Sequence, residues 1–467
     1  MKIWRMLVLA AAMALPGLCL SFWPALAAPV ELFIDTDHPA GGIDLTRFSL
    51  GQGGLSREPM FDVHLEQVAK LKPRTIRLFV QEFFDLYPEH GRYHWDTLDR
   101  SIENILATGA KPLMCLCFKP RVLYPQANQD IVHPADYGEW ETLIEALVRH
   151  CNREKGYGIE YWEVGNEVDI GEQGGCPYRF QPQDYTKYYA HTAAAILRAD
   201  PGVKVGGPAL ADYESPIADS LIAFCGRGGA PLDFFSWHRY GNEPLKLRKS
   251  IREIKQKLAR YPALAATETV IDEWNIKLLG EELTPGFQAA FILESTLGFL
   301  EEGLTLSSYY HIMDHTVVPE DFTWMSPEGY KFMADWWNKQ VQNSGLFDKQ
   351  GRRRPAYYVF EMLSQIQGVR FPVSGGAAGD IRAFAAKQDM MTHVVFWNFP
   401  LSGSGETSDV ILRFPAGQPG RFSLMKLDAV SNRLEPVRTG DSSELDKESL
   451  RLTLAPYGVA WVQLGSE

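Results

Sequence analysis

Nothing along this 467-residue chain has the spacing of a metal site: there is no His-Glu-x-x-His and no set of paired cysteines and histidines. Cysteine is scarce. Cys19 lies in the N-terminal run, and the five others are Cys115, Cys117, Cys151, Cys176 and Cys225. An odd number leaves at least one thiol unpaired, which excludes a disulfide scaffold. Cys115 and Cys117 sit two apart in a candidate strand and face the same way, as small core residues do. Past the N-terminus no apolar run reaches the ~20 residues of a bilayer crossing, so stable membrane insertion is not expected. Basic residues are outnumbered, 46 against 58 acidic ones, for a net charge of −12. Such a surface repels phosphates and argues against nucleic acid as a partner. No glycine-rich phosphate turn follows the first candidate strand, which weighs against a doubly wound nucleotide-binding sheet. Internal repeats and low-complexity tracts are absent too.

What remains is an ordinary soluble composition, 45% hydrophobic and 22% charged, on a length that suits one large domain and a smaller one. The N-terminus stands apart. Lys2 and Arg5 precede an apolar run from Leu7 to Leu20, and Ala25-Leu26-Ala27 follows. That is the order of a secretory signal peptide over residues 1–27, cleaved near Ala27, and it implies a periplasmic or secreted protein. Cys19 follows Leu18, not a small residue, which argues against a lipoprotein anchor. Cleavage would remove two positive charges and no negative one.

Short apolar runs then alternate with helical patterns, the signature of βα units around a parallel sheet. Candidate strands are 48–53, 75–80, 112–118, 159–165, 204–210, 232–240, 269–273 and 306–312. Between them the clearest helix puts Trp140, Leu143, Ile144, Leu147, Val148 and Cys151 on one stripe of period 3.6. Eight such units predict a (β/α)8 TIM barrel over residues 43–368. From 369 to 467 short β-type runs follow one another with no helix between them. They predict a C-terminal antiparallel β-sandwich, which a strand at 30–35 can join.

Two candidate strands end in carboxylates. Tyr161-Trp-Glu-Val-Gly-Asn-Glu167 closes the fourth, and Val270-Ile-Asp-Glu273-Trp-Asn275 closes the seventh. In a β/α barrel the chemistry sits at the C-terminal ends of the strands, and strands four and seven face each other across the mouth. Glycoside hydrolysis requires such a pair, one acid to protonate the departing oxygen and one carboxylate to attack or to activate water. The bland alternative is two surface loop acids. An Asn-Glu pair alone decides nothing, since Asn242-Glu243 repeats it. His238 and Tyr240 end strand six on one face, either towards the mouth or as a hydrogen-bonded structural pair. Arg77 is a charge inside the apolar run Thr75-Ile-Arg-Leu-Phe79 and needs a carboxylate. Either Glu273 fills that role, its pKa lowered by the pairing, or the pair is purely structural. Trp324 and Tyr309 are candidates for a sugar-stacking wall or for core.

The run Trp140–His150 with Gly156-Tyr-Gly158 and Trp162–Glu167 resembles glycoside hydrolase family 39. So do Ala199–Pro208, Pro231–His238, Asp272–Asn275 and Arg354–Tyr358. The ordered matches span roughly residues 45 to 368. The resemblance implies a retaining, cofactor-free, metal-free enzyme acting on an oligo- or polysaccharide. It makes Glu167 the acid/base, Glu273 the nucleophile, and Asn166, His238 and Tyr240 sugar contacts. Three features depart from the family. Val168 stands where proline is usual, Gly51-Gln52-Gly53 where a histidine is usual, and the stretch Gly171–Pro182 is unusually rich in glycine. Gln52 thereby becomes a candidate substrate contact in place of that histidine. These departures leave the two-carboxylate chemistry standing and open the sugar specificity. The family includes iduronidase-like and exopolysaccharide-cleaving members, and the Gly-Asn-Glu and Asp-Glu-Trp-Asn wording also resembles family 51 arabinofuranosidases. The rival from another class is a catalytically silent carbohydrate-binding protein on the same scaffold. Nothing in the sequence specifies an oligomeric state.

Overall fold

Eight parallel strands close on themselves in the computed structural model, each hydrogen-bonded to the next and the last to the first. The structure describes residues 28–52, 56–278, 285–322, 324–375, 380–401, 405–429 and 431–465. The expected signal peptide therefore lies outside the described residues. The barrel strands are Phe48–Gly51, Thr75–Val80, Lys111–Leu116, Tyr161–Val164, Lys204–Leu210, Phe234–Tyr240, Glu268–Asn275 and Leu306–Tyr310. All six residues of the second are buried, because helices cover the outer face of a barrel while side chains fill its interior. The helix Tyr137–Arg149 shows how the outer layer is built. Asp136 caps its first turn by accepting from the backbone N–H groups of Gly138 and Glu139, satisfying donors that have no partner inside the helix. Its expected stripe, Trp140 to Cys151, is buried throughout.

The barrel interior is layered. Leu113, Tyr161, Phe234, Val270 and Leu306 form a separate apolar plug near the N-terminal ends of their strands. The residues two places further along, Cys115, Glu163, Ser236 and Ser308, are also buried, and with Arg77 and Asp272 they form a polar layer. The C-terminal ends of the strands then open into the mouth. Trp162 and Trp274, next to Glu163 and Glu273 in sequence, face the other way and are fully buried among the surrounding helices.

A sandwich of two sheets follows. One has seven strands, including Gln367–Phe371, Ile381–Gln388, Met391–Asn398, Arg421–Leu427 and Val459–Gly465, and the other has four. Two segments ahead of the barrel take part. Val30–Ile34 lies parallel to Ser408–Arg413 in the smaller sheet, and Gly42–Asp44 pairs with Gln367–Phe371 at the edge of the larger. The barrel helix Pro285–Glu302 meets the larger sheet, where the indole N–H of Trp397 donates to Glu294 at 3.1 Å and Phe287 packs on Phe399 and Tyr457. The barrel core thus continues into one face of the sandwich. All five described cysteines are buried free thiols. Among the described residues no helix is long and apolar enough to cross a membrane.

Candidate active site

The fourth strand leaves the barrel through two unusual backbone turns. Gly165 has φ +97°, and a Cβ there would lie 2.5 Å from Val168, so the position demands glycine. Glu167 has φ +44°, a left-handed conformation that a non-glycine residue adopts at a cost of order 1–3 kcal/mol and that clusters at functional sites. Its N–H donates to Ala209 O at 2.7 Å. Two residues on, Asp169 accepts from the N–H groups of Ala211 and Asp212 at 3.0 Å each. The strained residue is thus bound to the end of strand five on both sides.

Strand seven reaches the same space by a bulge. Ile271 pairs with Trp237 but Glu273 with His238, and on the other edge the register also shifts by one residue. The extra residue turns two consecutive carboxylates inward, Asp272 and Glu273. Tyr240 donates to Glu273 Oε2 at 2.5 Å, and Arg77 Nη1 donates to Oε1 at 2.8 Å. Glu167 Oε1 is 2.9 Å from His238 Nδ1, which is also 3.4 Å from Glu273. One donor atom each of Glu167, His238 and Glu273 falls within 4.8 Å of the other two. Three such atoms could face a cation as well as a sugar, but both oxygens of Glu273 already hold protein donors.

Beneath them Arg77 is a buried hub. It is 2.7 Å from Glu163, 3.0 Å from Asp272 and 2.8 Å from Glu273, and it donates to Asn166 Oδ1 at 2.9 Å. Four acids and two bases in this space cannot all be charged without a large desolvation cost. Burial pushes Glu163 up to about 8, against the pull of Arg77. The negative charge of Asp272 beside it adds to that rise. Burial alone would raise Asp272, yet Arg77 and His238 keep it below the usual range. His238 would be lowered by burial, but Glu273 and Asp272 hold it well above the usual histidine value, so it is cationic. For Glu273 burial prevails over His238 and Arg77 and leaves its pKa raised. Arg77 pulls Glu273 downward, as its pairing was expected to, but desolvation is larger.

The structure brings Glu167, Glu273, Asn166, His238, Tyr240 and Arg77 into one cluster. Asn166 is engaged at both ends, its amide donating to Gly174 O at 3.0 Å. Gln52 is buried and holds the N–H of Met313 at 2.9 Å. Trp324 packs on Phe83 and Phe322. Tyr309 belongs to the core: strand alternation turns it outward against Trp274 and Phe360, where its hydroxyl donates to Ser344 O at 3.0 Å. Sequence reasoning missed Glu163 and Asp272. Glu163 carried the same signal as Arg77, a charge within an apolar strand. Asp272 carried none, since simple alternation turns it away from Glu273.

Residues 81–275 match the family model described as Glycosyl hydrolases family 39. The chain is similar to a beta-xylosidase of Caldicellulosiruptor saccharolyticus, 26% identical over 302 residues that cover 59% of this chain and 57% of that protein. It is also similar to one of Geobacillus stearothermophilus, 31% identical over 161 residues covering 32% and 31%. It thus spans little more than half of the first relative's length and a third of the second's. In fold it is similar to a monomeric beta-xylosidase of Caulobacter crescentus, with a TM-score of 0.74, 19% identity, and coverage of 94% of this chain and 99% of that one. The matched stretch runs from the end of strand two to the end of strand seven and holds both strand-end acids, and over it the chain is similar to glycosyl hydrolase family 39.

Proposed function

We propose that this protein is a retaining glycoside hydrolase in which Glu273 is the nucleophile and Glu167 the acid/base. The observation that carries the reading is the unequal furnishing of two acids whose nearest donor atoms are within 4.8 Å of each other. Glu273 receives a guanidinium N–H and a phenol O–H. Both donors favour the anion, and a nucleophile must be charged to attack. Glu167 receives one ring nitrogen and is the more exposed of the two, as suits a group that must pass a proton to a leaving oxygen and later take one from water. The short separation supports double displacement, for which about 5–5.5 Å between carboxyl groups is typical, against about 6.5–9.5 Å for inversion. Glu273 attacks the anomeric carbon as Glu167 protonates the departing oxygen. Water, deprotonated by Glu167, then releases the sugar from Glu273 with net retention. Arg77 and Tyr240 fix the orientation of the attacking carboxylate.

The relatives' names make β-D-xylosides the first substrates to try, and we propose export to the periplasm or beyond on the strength of the N-terminal pattern. The test is a panel of 4-nitrophenyl glycosides (β-D-xyloside, β-D-glucoside, α-L-arabinofuranoside) followed by a reducing-end assay on polysaccharides with product sizing. Turnover of one of these with retained configuration supports the reading. Binding of saccharides without turnover would replace it with a silent binding protein.

A further inference from the structure

The glycine-rich stretch after strand four takes no part in the chemistry above, yet it forms one wall of Glu167. Gly171–Gly174 make a short 3-10 turn, and Gly175 follows at φ +70°. The turn is held from several sides. Gly174 O accepts from Asn166 at 3.0 Å, and Gly175 O accepts from Gln81 at 2.9 Å. Glu172 receives the N–H of Ser326 at 2.8 Å together with its hydroxyl. At Gly174 a Cβ would stand 2.6 Å from Cβ and 2.8 Å from Cδ of Glu167, and closer still to Oε2. The Cβ of Glu167 is no flexible tip, so the whole side chain would have to move. The carboxyl is therefore clamped, with Oε1 on His238 and Oε2 against a backbone that has no side chain.

We infer that Gly174 is a positioning residue: its bare backbone fixes the carboxyl of Glu167 where the leaving oxygen is protonated. This rests on the acid/base role proposed for Glu167. A group displaced by even about 1 Å loses most of its proton-transfer advantage, while the nucleophile and its donors stay where they are.

The test compares Gly174→Ala with the parent on 4-nitrophenyl and methyl β-D-xylosides, or on the same pair of whichever sugar the panel selects. The leaving nitrophenolate needs little protonation. Its bond-breaking step should fall less than about fivefold, while the methyl glycoside loses ~100-fold or more, the range of general-acid catalysis. Equal losses on both substrates, or none, would overturn the inference. Glu167→Ala run alongside separates the two levels: if it shows no leaving-group dependence, the role of Glu167 fails and the inference falls with it. If it does and Gly174→Ala does not, only the inference fails. Folding is covered by a second comparison in Glu167→Gly, which removes the obstructing side chain at a left-handed position that suits glycine. Gly174→Ala should lower Tm, or prevent folding, in the parent and cost less than half as much in Glu167→Gly. An equal loss in both backgrounds, or failure of both to fold, would overturn it.

Discussion

Asp272 and Glu273 are neighbours in sequence, yet both point into the barrel, because strand seven carries one residue more than the strands on either side of it. Asp272 goes down to Arg77 and His238, and Glu273 goes up to Tyr240 and the mouth. The bulge thereby joins the proposed nucleophile to a buried charge layer that sets its protonation.

Arg77 pulls the pKa of Glu273 down against burial. Arg77→Met should therefore move the acidic limb of the kcat/KM profile to higher pH, since the nucleophile loses its proton later. It should also cost roughly 3–5 kcal/mol of stability, because Glu163, Asp272 and Glu273 are left buried without their cation. A limb that stays in place with normal activity would dismiss the pairing.

Glu163 holds its proton in the fold up to about pH 8 and loses it near 4.5 when unfolded. Its folded pKa is raised, so the stability it contributes is complete below the unfolded value and is lost as pH rises through the folded one. Glu163→Gln mimics the neutral acid and removes this loss. Between pH 5 and 8 the parent should lose stability relative to Glu163→Gln, by an amount reaching a few kcal/mol at the upper end and read as a falling Tm. Parallel Tm profiles, or the opposite slope, would show that Glu163 is ionised.

Much of this was legible in advance. Periodicity placed all eight barrel strands and the Trp140 stripe, since each side of a parallel strand is apolar for a physical reason that sequence displays. The two strand-end acids stood out because each closes such a strand. Tyr309 did not, because a tyrosine one residue from a strand end looks alike on either face. Asp272 was hidden by the bulge, which depends on register with two partners and leaves no local mark. The wall at Gly174 was visible only as an excess of glycine, because what a missing side chain makes room for depends on the fold.

The five buried thiols are unpaired, so the fold should stand without disulfides. Tm with and without dithiothreitol should agree within about 1 °C, well under the 4–8 °C that ~1 kcal/mol moves a small domain or the 2–4 °C for a larger one. A drop of many degrees would mean that a disulfide forms.

The most direct measurement separates the two carboxylates by role, using azide with 4-nitrophenyl glycosides. Glu167→Ala should still form the glycosyl-enzyme on this leaving group and then stall for want of a base. Azide should restore turnover and give a glycosyl azide of the substrate's own configuration. Glu273→Ala should be inactive on every substrate, and azide filling the emptied space should give the opposite configuration. Inverted azide from both variants, or undiminished turnover by Glu273→Ala, would contradict the assignment.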